Sequence, residues 1–179
     1  KSLVRFCLIK FVKTLNVMNS EIIFNTDLDS ATVYISKIYD ADVSEVWDYF
    51  TQSELLDQWW APKPWKCETE KMDFREGGNW LYAMVGPEGE KEFAIANFDE
   101  IMPHRSISWI DAFADDKGKV KTDLPQTTWL IGFTGIDEGT RMTFNLHFKS
   151  KEELTQIMEM GFEEGFKMGL NQLEELINR

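Results

Sequence analysis

Between Trp65 and Phe148 bulky residues recur at every second position, and after Ser150 they recur every three or four; this change of period is the strongest constraint on the fold. Turn-forming clusters cut the first stretch at hairpin intervals: Gly77-Gly78, Gly86-Pro87-Glu88-Gly89, Pro103-His104, Asp115-Asp116-Lys117-Gly118 and Asp137-Glu138-Gly139. The spacing predicts about six antiparallel strands. Trp80, Tyr82 and Met84 alternate on one, and Phe93, Ile95 and Asn97 on the next. Ile107, Trp109, Asp111 and Phe113 follow, then Trp129, Ile131 and Phe133, then Met142, Phe144, Leu146 and Phe148. Each set is expected to face the same way, giving a meander with one bulky face that must be covered. The cover comes last. Ser150 and Glu153 form a capping box, and Leu154, Ile157, Met158, Phe162, Phe166, Leu170, Leu173, Leu176 and Ile177 mark a stripe read as one long amphipathic helix.

Upstream, Val33, Tyr34, Ile35, Ile38 and Tyr39 read as a strand beginning at Thr32. Asp42 is placed to cap a helix with Val43, Val46, Trp47 and Phe50 on its buried face. Ser53 is placed to cap a second, with Leu55, Leu56, Trp59 and Trp60 apolar and Pro62 and Pro64 ending it. Residues 1–17 differ from the rest: Lys1, Arg5, Lys10 and Lys13 carry four positive charges with no acid, and Asn16-Val17-Met18-Asn19 offers no small-residue cleavage site. They are expected to be an extension outside the native fold, with Met18 the initiator and residues 18–179 a single domain.

Charge narrows the partners. With 19 Lys+Arg against 31 Asp+Glu the net charge is -12, which opposes binding to phosphate backbones and anionic lipid surfaces. No apolar run approaches the roughly 18 to 20 residues of a membrane-spanning helix. Cys7 and Cys67 are too few and too far apart for a disulfide framework or a zinc site, so a reducing, cytoplasmic setting is expected, with no metal and no cofactor.

The chemistry-bearing candidates are few. Gly161, Gly165 and Gly169 recur every fourth residue, forfeiting roughly 3 kcal/mol of helix propensity, which close packing on the sheet or a cavity beneath the helix would explain. Trp59, Trp80, Trp109 and Trp129 are expected to point inward, and their indole N–H groups need partners, for which Asn97 and Asp111 are candidates. Asp111 shares strand parity with Trp109 and Phe113; burial there would raise its pKa and suit it to move a proton. His147 is the other proton-carrier candidate, although its strand parity opposes that of Leu146 and it is not expected to meet His104. No HExxH, GxSxG, GxGxxG or phosphate-loop pattern is present.

Strand, two helices, six-stranded meander and long helix (β-α-α-β6-α) make an α+β helix-grip fold, a curved antiparallel sheet around the C-terminal helix. The chain resembles the START-like superfamily, and within it the family of activator of Hsp90 ATPase homologues. The matching residues are Val46-Trp47, Trp59-Trp60-Ala61-Pro62, Gly77-Gly78-Asn79-Trp80, Phe98-Asp99-Glu100-Ile101-Met102-Pro103, Gly139-Thr140-Arg141 and Gly161-Phe162-Glu163-Glu164-Gly165-Phe166. Asn97 stands where that family often has glycine. The resemblance implies a cavity for a hydrophobic or amphipathic small molecule between sheet and helix. Its wall is expected from Trp59; from Trp80, Tyr82 and Met84; from Phe93, Ile95 and Asn97; from Trp109, Asp111, Trp129, Ile131 and Phe144; and from Gly161, Phe162, Gly165, Phe166 and Gly169. The leading expectation is a binding or carrier domain. The alternatives are a cyclase- or dehydratase-like enzyme using Asp111 or His147, and a chaperone-interacting module; self-association as a homodimer is a further candidate.

Overall fold

The computed structural model describes residues 21–179. The expectations for residues 1–17, Met18 and Cys7 lie outside the described residues. Eight strands form a single antiparallel sheet: β1 (Ile23–Asp27), β2 (Thr32–Tyr39), β3 (Lys66–Met72), β4 (Asn79–Val85), β5 (Lys91–Met102), β6 (Ser106–Ala114), β7 (Gln126–Ile136) and β8 (Gly139–Phe148). Their spatial order is β1-β2-β8-β7-β6-β5-β4-β3, so the six-stranded meander folds in sequence and β2 closes against its last strand. This is the helix-grip architecture. β1 is an addition to the expected pattern: Asn25, Thr26 and Asp27 give it no apolar alternation, and it holds the sheet edge by backbone pairing with β2.

Two short helices, α1 (Val43–Thr51) and α2 (Ser53–Leu56), join β2 to β3. Asp42 does occupy the N-cap position of α1, but its side chain makes no capping bond; Ser53 is already the first residue of α2, with Gln52 at the cap. Val46, Trp47 and Phe50 are buried as the helical spacing requires.

The C-terminal cover is two helices rather than one, α3 (Lys151–Glu159) and α4 (Phe162–Ile177). Ser150 caps α3, accepting the Glu153 N–H at 3.3 Å. The break falls at Gly161, whose φ of 86° lies in the left-handed region that a residue with a Cβ enters only at a cost. The apolar stripe continues through the break because both helices press on the same sheet face, so hydrophobic periodicity alone does not reveal it.

The main core lies between the concave sheet face and these helices. Ile107, Ile131, Phe144 and Ile35 form its floor, and Phe98, Trp109, Trp129, Leu146 and Val33 form the next row across the sheet. A second, small cluster of Leu81, Ile95, Ala112 and Ala114 is buried on the opposite face, with Val120 from the β6–β7 connection packed against it. The middle strands are therefore apolar on both faces.

Candidate functional site

The cross-strand rows show where the core stops being filled. The row of Phe98, Trp109 and Trp129 is followed by Trp80, Ala96, Asp111, Thr127 and Phe148, and then by Tyr82, Ala94 and Phe113. At Ala94 and Thr127 the side chains shrink, and a cavity of about 340 Å³ lies above them. The sheet contributes Tyr82, Met84, Ala94, Asp111, Phe113, Thr127, Trp129 and Phe148 to its wall, with Glu92, Phe93 and Pro125 beside them. Trp60, Pro62 and Trp65 close one side, and Ile157, Met160, Gly161, Phe162, Gly165 and Phe166 form the roof.

Of the residues expected here, Tyr82, Met84, Phe93, Asp111, Trp129, Gly161, Phe162, Gly165 and Phe166 line this space. The others do not. Trp59 lies behind the wall, its ring 4.9 Å from Phe50 and its Nε1–H donated to the Tyr49 carbonyl at 3.0 Å. The neighbouring Trp60 faces the cavity instead, packed on Trp80, Trp109, Trp129 and Phe166. Trp80 donates its Nε1–H to Thr69 Oγ1 at 2.9 Å and stacks on Tyr82. Trp109, Ile131 and Phe144 are buried in the rows beneath. On β5 the expected parity is inverted: Ala94, Ala96 and Phe98 face inward, whereas Asn97 is exposed on the far side and Ile95 belongs to the opposite cluster. Phe93 packs with that cluster as well and reaches the cavity from its rim. Asn97 and Asp111 thus serve no indole as partner.

The three glycines have three separate roles. Gly161 makes the helix break, and Gly165 lines the cavity, where an added Cβ would lie 3.5 Å from Pro62. Gly169 is a contact point: a Cβ there would sit 3.3 Å from the Trp59 carbonyl oxygen.

Two polar groups give the wall its chemistry. Asp111 accepts a long hydrogen bond, 3.4 Å, from the Tyr82 hydroxyl, and burial pushes its carboxyl up to about 7 although that bond acts the other way. Burial, reinforced by Asp111, raises the Tyr82 phenol well above its ordinary range. The Nε1–H groups of Trp109 and Trp129 are buried without a hydrogen-bond partner among the described residues. His147 is exposed on the outer face opposite Thr128 and Thr32, so the sheet separates it from Asp111. His104 sits in the β5–β6 turn with its ring 5.3 Å from Trp47, also away from the cavity. Cys67 is buried, and burial raises its thiol well above the ordinary range, which disfavours the reactive thiolate.

The family model for activator of Hsp90 ATPase homolog 1-like protein matches residues 40–178. The chain belongs to that family. A protein from Mycobacterium smegmatis with a crystal structure is 32% identical, with a TM-score of 0.80 over 87% of this chain and 96% of its own. A protein from Arthrobacter aurescens, solved by NMR, is 29% identical with a TM-score of 0.82, covering 87% of this chain and 91% of its own. A third, from Nitrosomonas europaea, is 28% identical with a TM-score of 0.70, covering 83% and 95%. No curated protein matches the sequence. The family's fold is compatible with ligand binding, and among the described residues no helix is long and apolar enough to cross a membrane.

Proposed function

We propose that this protein binds, and carries within the cytoplasm, a hydrophobic or amphipathic small molecule held between the sheet and the C-terminal helices. The observation that carries this reading is the cavity of about 340 Å³, walled largely by aromatic rings, with Asp111 and Tyr82 among its polar groups. Such a space is within the usual size range of small-molecule sites, and a mostly apolar wall with a few fixed polar groups is their usual composition.

Titration with N-phenyl-1-naphthylamine, a neutral fluorescent probe, tests the reading. The expected result is saturable binding at one site per chain, weakened at least tenfold by Gly165→Leu while the folded state is retained, since the leucine has the cavity to enter. Absence of saturable binding, or unchanged affinity in a folded Gly165→Leu protein, overturns it.

One observation favours a second reading, a cyclase- or dehydratase-like enzyme. A wall carboxyl titrating near neutrality beside a phenol is placed to give or take a proton. In that case turnover of a bound substrate would be abolished by Asp111→Asn. Contact with a chaperone rests on the family's description alone.

A further inference from the structure

The charges of the cavity wall specify the class of ligand, given the reading of the cavity as a ligand site. Its charged lining residues are Asp111 and Glu92, both acidic, and among the described residues the lining includes no Lys, Arg or His. Lys121 reaches Glu92 at 3.7 Å but is not part of the wall. Among the described residues Asp111 has a single long hydrogen bond, from a neutral phenol, and no cation opposite it. Around it stand rings steeply inclined to one another: Trp60 and Tyr82 at 89°, Trp129 and Phe166 at 74°, Trp129 and Phe162 at 81°. The faces of such rings carry the negative part of the quadrupole and attract a cation within about 6 Å of the centroid.

An anionic headgroup would meet the Asp111 carboxyl with no counter-charge in the wall, Glu92 being already paired with Lys121. A neutral one would leave Asp111 to be buried charged or to take up a proton. A cation answers both costs, pairing with the carboxylate and lying against the rings. The amino end of α4 at the cavity roof favours negative charge, but Glu163 and Glu164 already occupy that first turn. We propose that the cavity takes a hydrophobic organic cation, a protonated amine or a quaternary ammonium, with its charge against Asp111 and its apolar body among Trp60, Trp129, Phe162 and Phe166.

Three probes of similar size separate the possibilities: benzyltrimethylammonium, its uncharged isostere neopentylbenzene, and the anion phenylacetate, each measured by displacement of N-phenyl-1-naphthylamine. The expected result is at least tenfold tighter binding of the cation than of either other probe. The charge of benzyltrimethylammonium does not titrate, so its affinity reports the ionisation of Asp111 and should rise about tenfold between pH 6 and pH 8, then level off. Tyr82 from β4 and Cys67 beside it, both kept neutral by burial, and Glu92 from β5 are the other titratable groups facing this region. Thr127 from β7, the lining residues Trp60, Pro62 and Trp65, and those of α3 and α4 add none; Lys63, between Pro62 and Trp65, is exposed and pairs with Glu175. Asp111→Asn, which keeps the shape, should abolish both the preference for the cation over its isostere and the pH dependence.

Equal or tighter binding of neopentylbenzene or phenylacetate overturns the assignment of a cation, as does a flat pH profile in the unaltered protein. In those cases saturable binding of N-phenyl-1-naphthylamine leaves the cavity reading standing. If that probe also fails to bind, the cavity reading itself falls.

Discussion

The two ends of α4 cover the same aromatic sheet face in opposite ways. Toward its carboxyl end the helix is fastened. Gln172 donates to the Trp59 and Ala61 carbonyls at 2.9 Å each and accepts the Lys63 N–H at 2.8 Å. Tyr39 donates its hydroxyl to the Leu170 carbonyl, and the buried Lys37 ammonium pairs with Glu174 at 3.0 Å and with Asn171 at 3.2 Å. Gly169 lets the helix approach the Trp59–Trp60 backbone closely. At the amino end the described residues form no such network: Gly165 faces a cavity, and Asp111 has one long bond, from Tyr82. Apolar material is plentiful at both ends. The difference lies in the polar groups, which satisfy one another where the fold is closed and are left available where it is open.

That contrast breaks first at Gln172. Gln172→Leu would leave the two carbonyls and the Lys63 N–H without partners in a buried place, and should cost about 4 kcal/mol by urea denaturation. A loss below about 1 kcal/mol would mean that the Trp59–Lys63 segment is held by its ring packing alone.

Asp111 tests the open end through pH. Its carboxyl titrates at about 7 in the folded protein against an ordinary value of 3.8, so between these values the folded state keeps a proton that the unfolded chain has released. Stability contributed by this group therefore falls as pH rises from about 4 to 7 and stays lost above. Between pH 5 and pH 8 the unaltered protein should lose roughly 2 to 3 kcal/mol relative to Asp111→Asn, the figure integrated from the shift. Parallel stability curves would show that the carboxylate is well solvated or paired in the cavity.

The smallest effect compares the two glycines directly. Gly165→Ala should stabilise the protein by about 0.5 to 1 kcal/mol, because helix propensity is gained and the new methyl finds ordinary contact distance to Pro62. Gly169→Ala should destabilise by about 1 kcal/mol, because its methyl presses on a carbonyl that Gln172 holds in place. Thermal melts of the two variants with the same sign of shift would erase the distinction between the ends.

Much of this was readable from the chain. The meander, the two short helices and the apolar cover follow from hairpin-spaced turn residues and the change of period, and the inward direction of Trp80, Tyr82, Trp109, Asp111 and Trp129 follows from alternation within their strands. β1 escaped because an edge strand held by backbone bonds needs no apolar pattern. The missed wall residues Phe113, Phe148 and Ile157 lay on the expected inner faces, beyond the stretch where the site was drawn. Ala94 and Thr127 gave no such signal, since a cavity is marked by small residues and a chain read for bulk passes over them.

The sequence by itself determined the order of elements and the presence of more apolar surface than one sheet face requires. The tertiary structure alone decided which residues face the cavity. From Phe93 to Ala96 β5 is apolar on both sides, with Ala94 and Ala96 on one and Phe93 and Ile95 on the other, so alternation there has no polar face to fix its sign; pairing with Tyr82 and Phe113 sets it. The choice of Trp60 over Trp59, and the separate duties of Gly161, Gly165 and Gly169, were decided the same way. In each case neighbours in the chain have equal intrinsic claims on the site, and contacts with remote residues choose between them.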